Sequence, residues 1–173
     1  MQNGTRIHRR ERPAPGRRRE QGASAVEFSL VASIFFLLLF SVVDFSMMMF
    51  ANLTMQNAVR EGARYAVTGQ TNLDPNAASP QRYEAVLWAI QNSSLGIYGM
   101  SNATVTTWVN GVAQPSGSAN MFGSPGDLVV IEVDCSWPLF TPLVAAFFRT
   151  ANANTSGRYN FSVAATMRNE AFQ

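Results

Sequence analysis

Few residues in this chain have the type and spacing to do chemistry. His8 is the only histidine and Cys135 the only cysteine. One cysteine closes no intramolecular disulfide, and one histidine builds no multi-histidine metal site. A Ser-His-Asp triad would have to take its base from the Arg-rich stretch around His8. Glu84, Asp127, Glu132 and Asp134 could in principle supply a hydrolytic pair of carboxylates, yet their spacing singles out no pair. No catalytic residue, cofactor or metal ligand is therefore assigned, and the chain is not expected to be an enzyme. Glu27 is a different matter, because it interrupts an otherwise apolar run. A carboxylate inside a membrane helix costs about 2.5–3.5 kcal/mol on the insertion scale. Either water reaches it at the headgroup level, or it meets a specific cation.

The elements around Glu27 decide its setting. Apolar residues make up 47% of the 173 residues and charged ones 14%, the latter well below the roughly 25% of a soluble domain. All 13 basic residues are arginines, and seven of them precede residue 20. Beyond that point nine acids face six arginines, so the sequence pI near 9.1 reflects a basic tag rather than a nucleic-acid surface, and no nucleic-acid partner is expected. Residues 1–22, rich in Arg, Pro and Gly, read as a disordered leader. From Phe28 to Val43 there is no charge. As a helix, Ala23 to Phe50 would span about 40 Å, more than the ~30 Å hydrocarbon core. The block is too long for a secretory signal core and lacks a closing Ala-x-Ala-like site. The expectation is a transmembrane helix over 23–51, with the Arg-rich side cytoplasmic.

The helix should run on outside the membrane over 52–69. Asn57, Arg60, Glu61, Arg64 and Thr68 make a polar stripe; Met55, Val59, Gly62, Ala63 and Ala66 make a small apolar one that permits close approach to a partner surface. Gly69 supplies a stop. Residues 70–173 read as an α+β region. Tyr83, Val86, Leu87 and Ile90 follow a helical period, and Asp74-Pro75 and Ser79-Pro80 are turn and helix-start signals. Thr104 to Val109 followed by Asn110-Gly111 is a hairpin signal. Val129, Ile131, Val133, Cys135 and Trp137 share one strand face, and Tyr159, Phe161, Val163, Ala165 and Met167 another. Pro138 to Arg149 reads as a short apolar helix or a membrane-facing loop. The fold class is thus a long N-terminal transmembrane helix, then a small antiparallel sheet packed with one or two helices. Cys135 should be an inert buried thiol. Asp44 is expected near the outer interface, or buried opposite an Arg of another subunit.

The junction Gly22-Ala23-Ser24-Ala25-Val26-Glu27-Phe28 resembles a type IV prepilin junction. The run Asn57 to Gly69, with Arg60-Glu61-Gly62-Ala63-Arg64 at its centre, is similar to the pattern of TadE-like pseudopilins from tight-adherence pilus systems. So are the Glu27-Phe28 start, Asp44 late in the apolar helix, and the ending Ala165 to Glu170. The resemblance implies a pilin-like subunit or assembly factor of a Flp-type pilus in the bacterial inner membrane. It also implies cleavage between Gly22 and Ala23 by a prepilin peptidase, and partners among other pilin-like subunits, the pilus assembly machinery and the lipid bilayer. Cleavage would create an ammonium on Ala23, the cation Glu27 needs, and Glu27 and Phe28 would then act in assembly and registry. A membrane-tethered extracytoplasmic binding module with an uncleaved anchor is the alternative.

Overall fold

Helix boundaries follow local chemistry. The structure, a computed structural model, describes residues 17–151 and 157–172. Helix α1 runs Arg17–Val67. Residues 17–22 are therefore helical rather than disordered, which corrects the expectation for that part of the leader; residues 1–16 lie outside the described residues. Once an apolar run has nucleated a helix, each added residue costs little, and Arg, Glu and Gln are good helix formers. At the other end Gly69 takes φ +68°, a left-handed conformation suited to glycine. The N–H groups of Thr68 and Gly69 close on the carbonyls of Tyr65 and Ala66, at 3.2 Å each.

The chain divides into two units between Leu38 and Leu39. In the first, every side chain from Gly22 to Leu38 is exposed except half-buried Ala32. The helix from Gly22 onward contains an 18-residue window of mean hydropathy 2.4, with none of that window buried. It is long and apolar enough for single-pass membrane anchoring. The Ser29 and Ser33 hydroxyls donate to the carbonyls of Ala25 and Ser29, both at 2.7 Å. These hydroxyls therefore carry a bonded proton within the helix itself.

The second unit is a sheet covered on one face by helices. Strands β1 (Thr104–Val109), β2 (Val112–Gln114), β3 (Leu128–Pro138) and β4 (Arg158–Arg168) pair antiparallel in the order β2-β1-β3-β4. Asn110 and Gly111 both take positive φ, and Val109 pairs with Val112 across them, so the expected two-residue hairpin forms. Val105, Val133 and Val163 align across three strands, as do Thr107, Ile131 and Ala165. This is the inward face, and the alternation in β3 matches the expected one residue for residue. One buried cluster joins this face to Val86 and Ile90 of α2 (Arg82–Ser93), Ile97 of the short α3 (Ile97–Met100) and the second half of α1. The α1 seam is Asp44, Met48, Ala51, Met55, Ala58, Val59, Ala63 and Ala66, all buried, at the three-and-four spacing of one helix face. The segment left open between helix and loop is a helix, α4 (Pro142–Ala151).

Candidate functional site

The site residues expected from sequence fall into groups in the two units. Gly22, Ala23, Glu27 and Phe28 lie in the first unit, within α1, and all four are exposed. A side chain added at Gly22 would meet nothing within 4 Å. Ala23 and Glu27 are one turn apart on the same face of the helix.

The Arg60-Glu61-Gly62-Ala63-Arg64 motif lies in the second unit and splits by face. Arg60, Glu61 and Arg64 are exposed, and Gly62 and Ala63 are buried. Arg64 Nε stands 3.9 Å from Glu61 Oε2, a surface pair worth at most about 1 kcal/mol. Gly62 has a packing reason. A Cβ there would overlap the Cγ1 and Cδ1 atoms of Ile90, and Ile90 is fully buried. Gly62 of the small stripe thus makes room for α2 of the same chain.

Asp44 has hydrogen-bond partners within the chain. It is 2% exposed, and its Oδ1 and Oδ2 accept the backbone N–H groups of Phe140 (3.1 Å) and Thr141 (2.6 Å). Thr141 precedes Pro142 at the start of α4, and its carbonyl accepts from Ala145 N–H at 3.0 Å. The carboxylate therefore ties α1 to the N-terminus of α4, where the helix dipole also favours negative charge. Sequence marked Asp44 as unusual; its partners, some 96 residues away, could not be read from any local pattern.

Two further residues were not anticipated. Arg82 donates to the carbonyls of Gly123 and of Ala66, the latter at 2.6 Å, and its guanidinium lies 4.5 Å over the Phe172 ring. Burial lowers its pKa from the usual value. An arginine opening a helix faces the unfavourable end of the dipole, and that mismatch was the available signal. Asn169 is buried and donates to the carbonyls of Phe122 (2.8 Å) and Ser124 (2.9 Å). Glu170 N–H reaches the Val67 carbonyl at 3.2 Å. The chain end thus fastens to the end of α1, which gives the Ala165 to Glu170 ending a structural use.

The ionisable groups of the second unit are arranged for holding turns. The Asp74 carboxyl is held below its usual pKa by the backbone N–H groups of Gln81 and then Asn76. Asp127 is lowered by Ser124 N–H and then by the Asn110 side chain. The Cys135 thiol, buried as expected, is pushed up by desolvation. Among the described residues no three His, Cys, Asp or Glu side chains gather to hold a metal. The arrangement anchors and packs.

No curated protein matches the chain, and no solved structure does. A family match exists over part of its length. It opens on the junction glycine and closes on the last residue of the α1 motif: residues 22–64 match the TadE-like protein family, and the chain carries a TadE-like segment there.

Proposed function

We propose that the chain is a pilin-like subunit or assembly factor of a tight-adherence, Flp-type pilus, structural rather than enzymatic. It is anchored in the bacterial inner membrane by the first part of α1, with the Arg-rich leader cytoplasmic and the sheet unit extracytoplasmic. A prepilin peptidase removes the leader between Gly22 and Ala23. The observation that carries this reading is the extent of the family match, residues 22–64, which encloses the junction, Glu27, Phe28 and the Arg60 to Arg64 motif. It coincides with a helix whose side chains stay exposed through residue 43 apart from half-buried Ala32 and Ser41.

In this reading Glu27 is a registry device. Cleavage leaves an ammonium on Ala23, one turn below the carboxylate. Side-by-side helices then hold each carboxylate between its own ammonium and a neighbour's, and pairing relieves two charges that are costly at membrane depth. Glu27→Ala should still insert and keep a folded sheet unit, because Glu27 lies in the first unit. It should lose co-purification with other pilin-like subunits and with it pilus formation. Glu27→Gln, which keeps shape without charge, should fail nearly as badly. Normal piliation by Glu27→Ala cells, with the mature protein at wild-type level, would remove Glu27 from the mechanism.

A further inference from the structure

Helix α4, with Phe140 just ahead of it, exposes an apolar face that no other part of the described chain covers. Phe140, Leu143 and Phe147 are 64%, 53% and 68% exposed. The opposite face is turned inward, where the Phe148 ring packs edge-on against Tyr159 at 5.7 Å. The helix carries no acid, and its only charge is Arg149 in the last turn. Its position along α1 is set by Asp44, which binds the Phe140 and Thr141 amides. Asp44 is the residue that ends the charge-free run Phe28 to Val43. A hollow shared by Phe40, Phe140, Thr141 and Pro142 joins the two apolar surfaces at that level. On α1 the apolar surface continues a short way past it, through exposed Phe45, Met49, Phe50 and Leu53.

We propose that α4 is a membrane-interface helix, its Phe140-Leu143-Phe147 face seated in the outer boundary of the same bilayer that α1 crosses. The inference rests on the anchoring part of the proposed function. A helix lying in the interface buries its apolar face about 5–10 Å below the headgroups, and a basic residue at its edge can reach anionic lipid. The occupant is lipid because the face adjoins Phe40, in the charge-free apolar run of α1 that ends at Val43, beside the point where Asp44 binds the start of α4.

The test uses the full chain in vesicles of phosphatidylethanolamine and phosphatidylglycerol, in a Cys135→Ala background. Nitroxide labels are placed singly through Leu143→Cys and Phe147→Cys. Val43→Cys serves as the lipid reference, and Thr166→Cys, on the outward sheet face, as the aqueous one. Collision with oxygen, relative to a water-soluble nickel chelate, should be several-fold higher at 143 and 147 than at 166, and close to that at 43. Ratios at 143 and 147 equal to that at 166, with 43 in lipid, would overturn the inference and leave the anchor standing. Protection from both reagents would also overturn it, and would show that protein covers the face. An aqueous reading at 43 would overturn anchor and inference together. Near-UV circular dichroism of each variant confirms that the labelled chains are folded.

Discussion

Asp44 shows how much one residue in this chain can carry. Its two oxygens hold two backbone N–H groups in a site only 2% exposed. Hydrogen bonds to a charged group contribute roughly 1.5–3 kcal/mol each, and buried amides left without an acceptor cost about as much. Asp44→Ala should therefore destabilise the sheet unit by about 2–4 kcal/mol, read from denaturant unfolding of the detergent-solubilised chain. Asp44→Asn keeps one acceptor oxygen and should lose about half of that. Wild-type stability for Asp44→Ala would mean that the clamp contributes nothing. The residue could be picked out from sequence because a carboxylate late in an apolar helix is rare. Its role could not, since a contact across 96 positions leaves no periodic trace.

Among the elements, α1 and α2 come close where Gly62 faces Ile90. Helix propensity favours Gly62→Ala by about 1 kcal/mol, but the new methyl would occupy the space of the Ile90 side chain. Ile90 is fully buried and cannot yield cheaply, so overpacking should win and Gly62→Ala should cost about 1–3 kcal/mol. Adding Ile90→Ala should recover part of that loss, a coupling that a double-mutant cycle measures directly. Additive effects would place the two residues out of contact. The strands were the most legible elements, because Val129 to Trp137 alternate strictly and Asn110-Gly111 is a strong turn signal. The small stripe on α1 was legible too, though not that its close neighbour on α2 is Ile90. Helix α4 was ambiguous because a short apolar run serves helix and loop alike. Its helical state depends on Thr141, Pro142 and the distant Asp44, only two of which are local.

At the scale of the whole molecule, two depressed carboxyl groups tie stability to acid. Asp74 and Asp127 titrate below their usual value because backbone N–H groups bind the charged form. Their folded pKa values lie under the unfolded ones, so this stability is full well above about pH 4 and is lost as pH falls through the folded values. The melting temperature of the sheet unit should hold steady from neutral pH down to about 5 and then fall. The Asp74→Asn, Asp127→Asn double variant should melt lower at neutral pH and respond less to acid. Equal acid slopes would shift the cause to other groups. The central claim concerns the other end of the chain, where Arg-rich sequence gives way within α1 to the apolar run at Gly22-Ala23. Under the proposed cleavage, side-chain size at Gly22 would decide access to the peptidase, so Gly22→Leu should accumulate the longer form. The most direct measurement is the amino-terminal sequence of the protein extracted from membranes of a host with active prepilin peptidase. A mature chain beginning Ala23-Ser24-Ala25-Val26-Glu27 is the predicted result. A chain still beginning near Met1 in that host would contradict the pilin-like account.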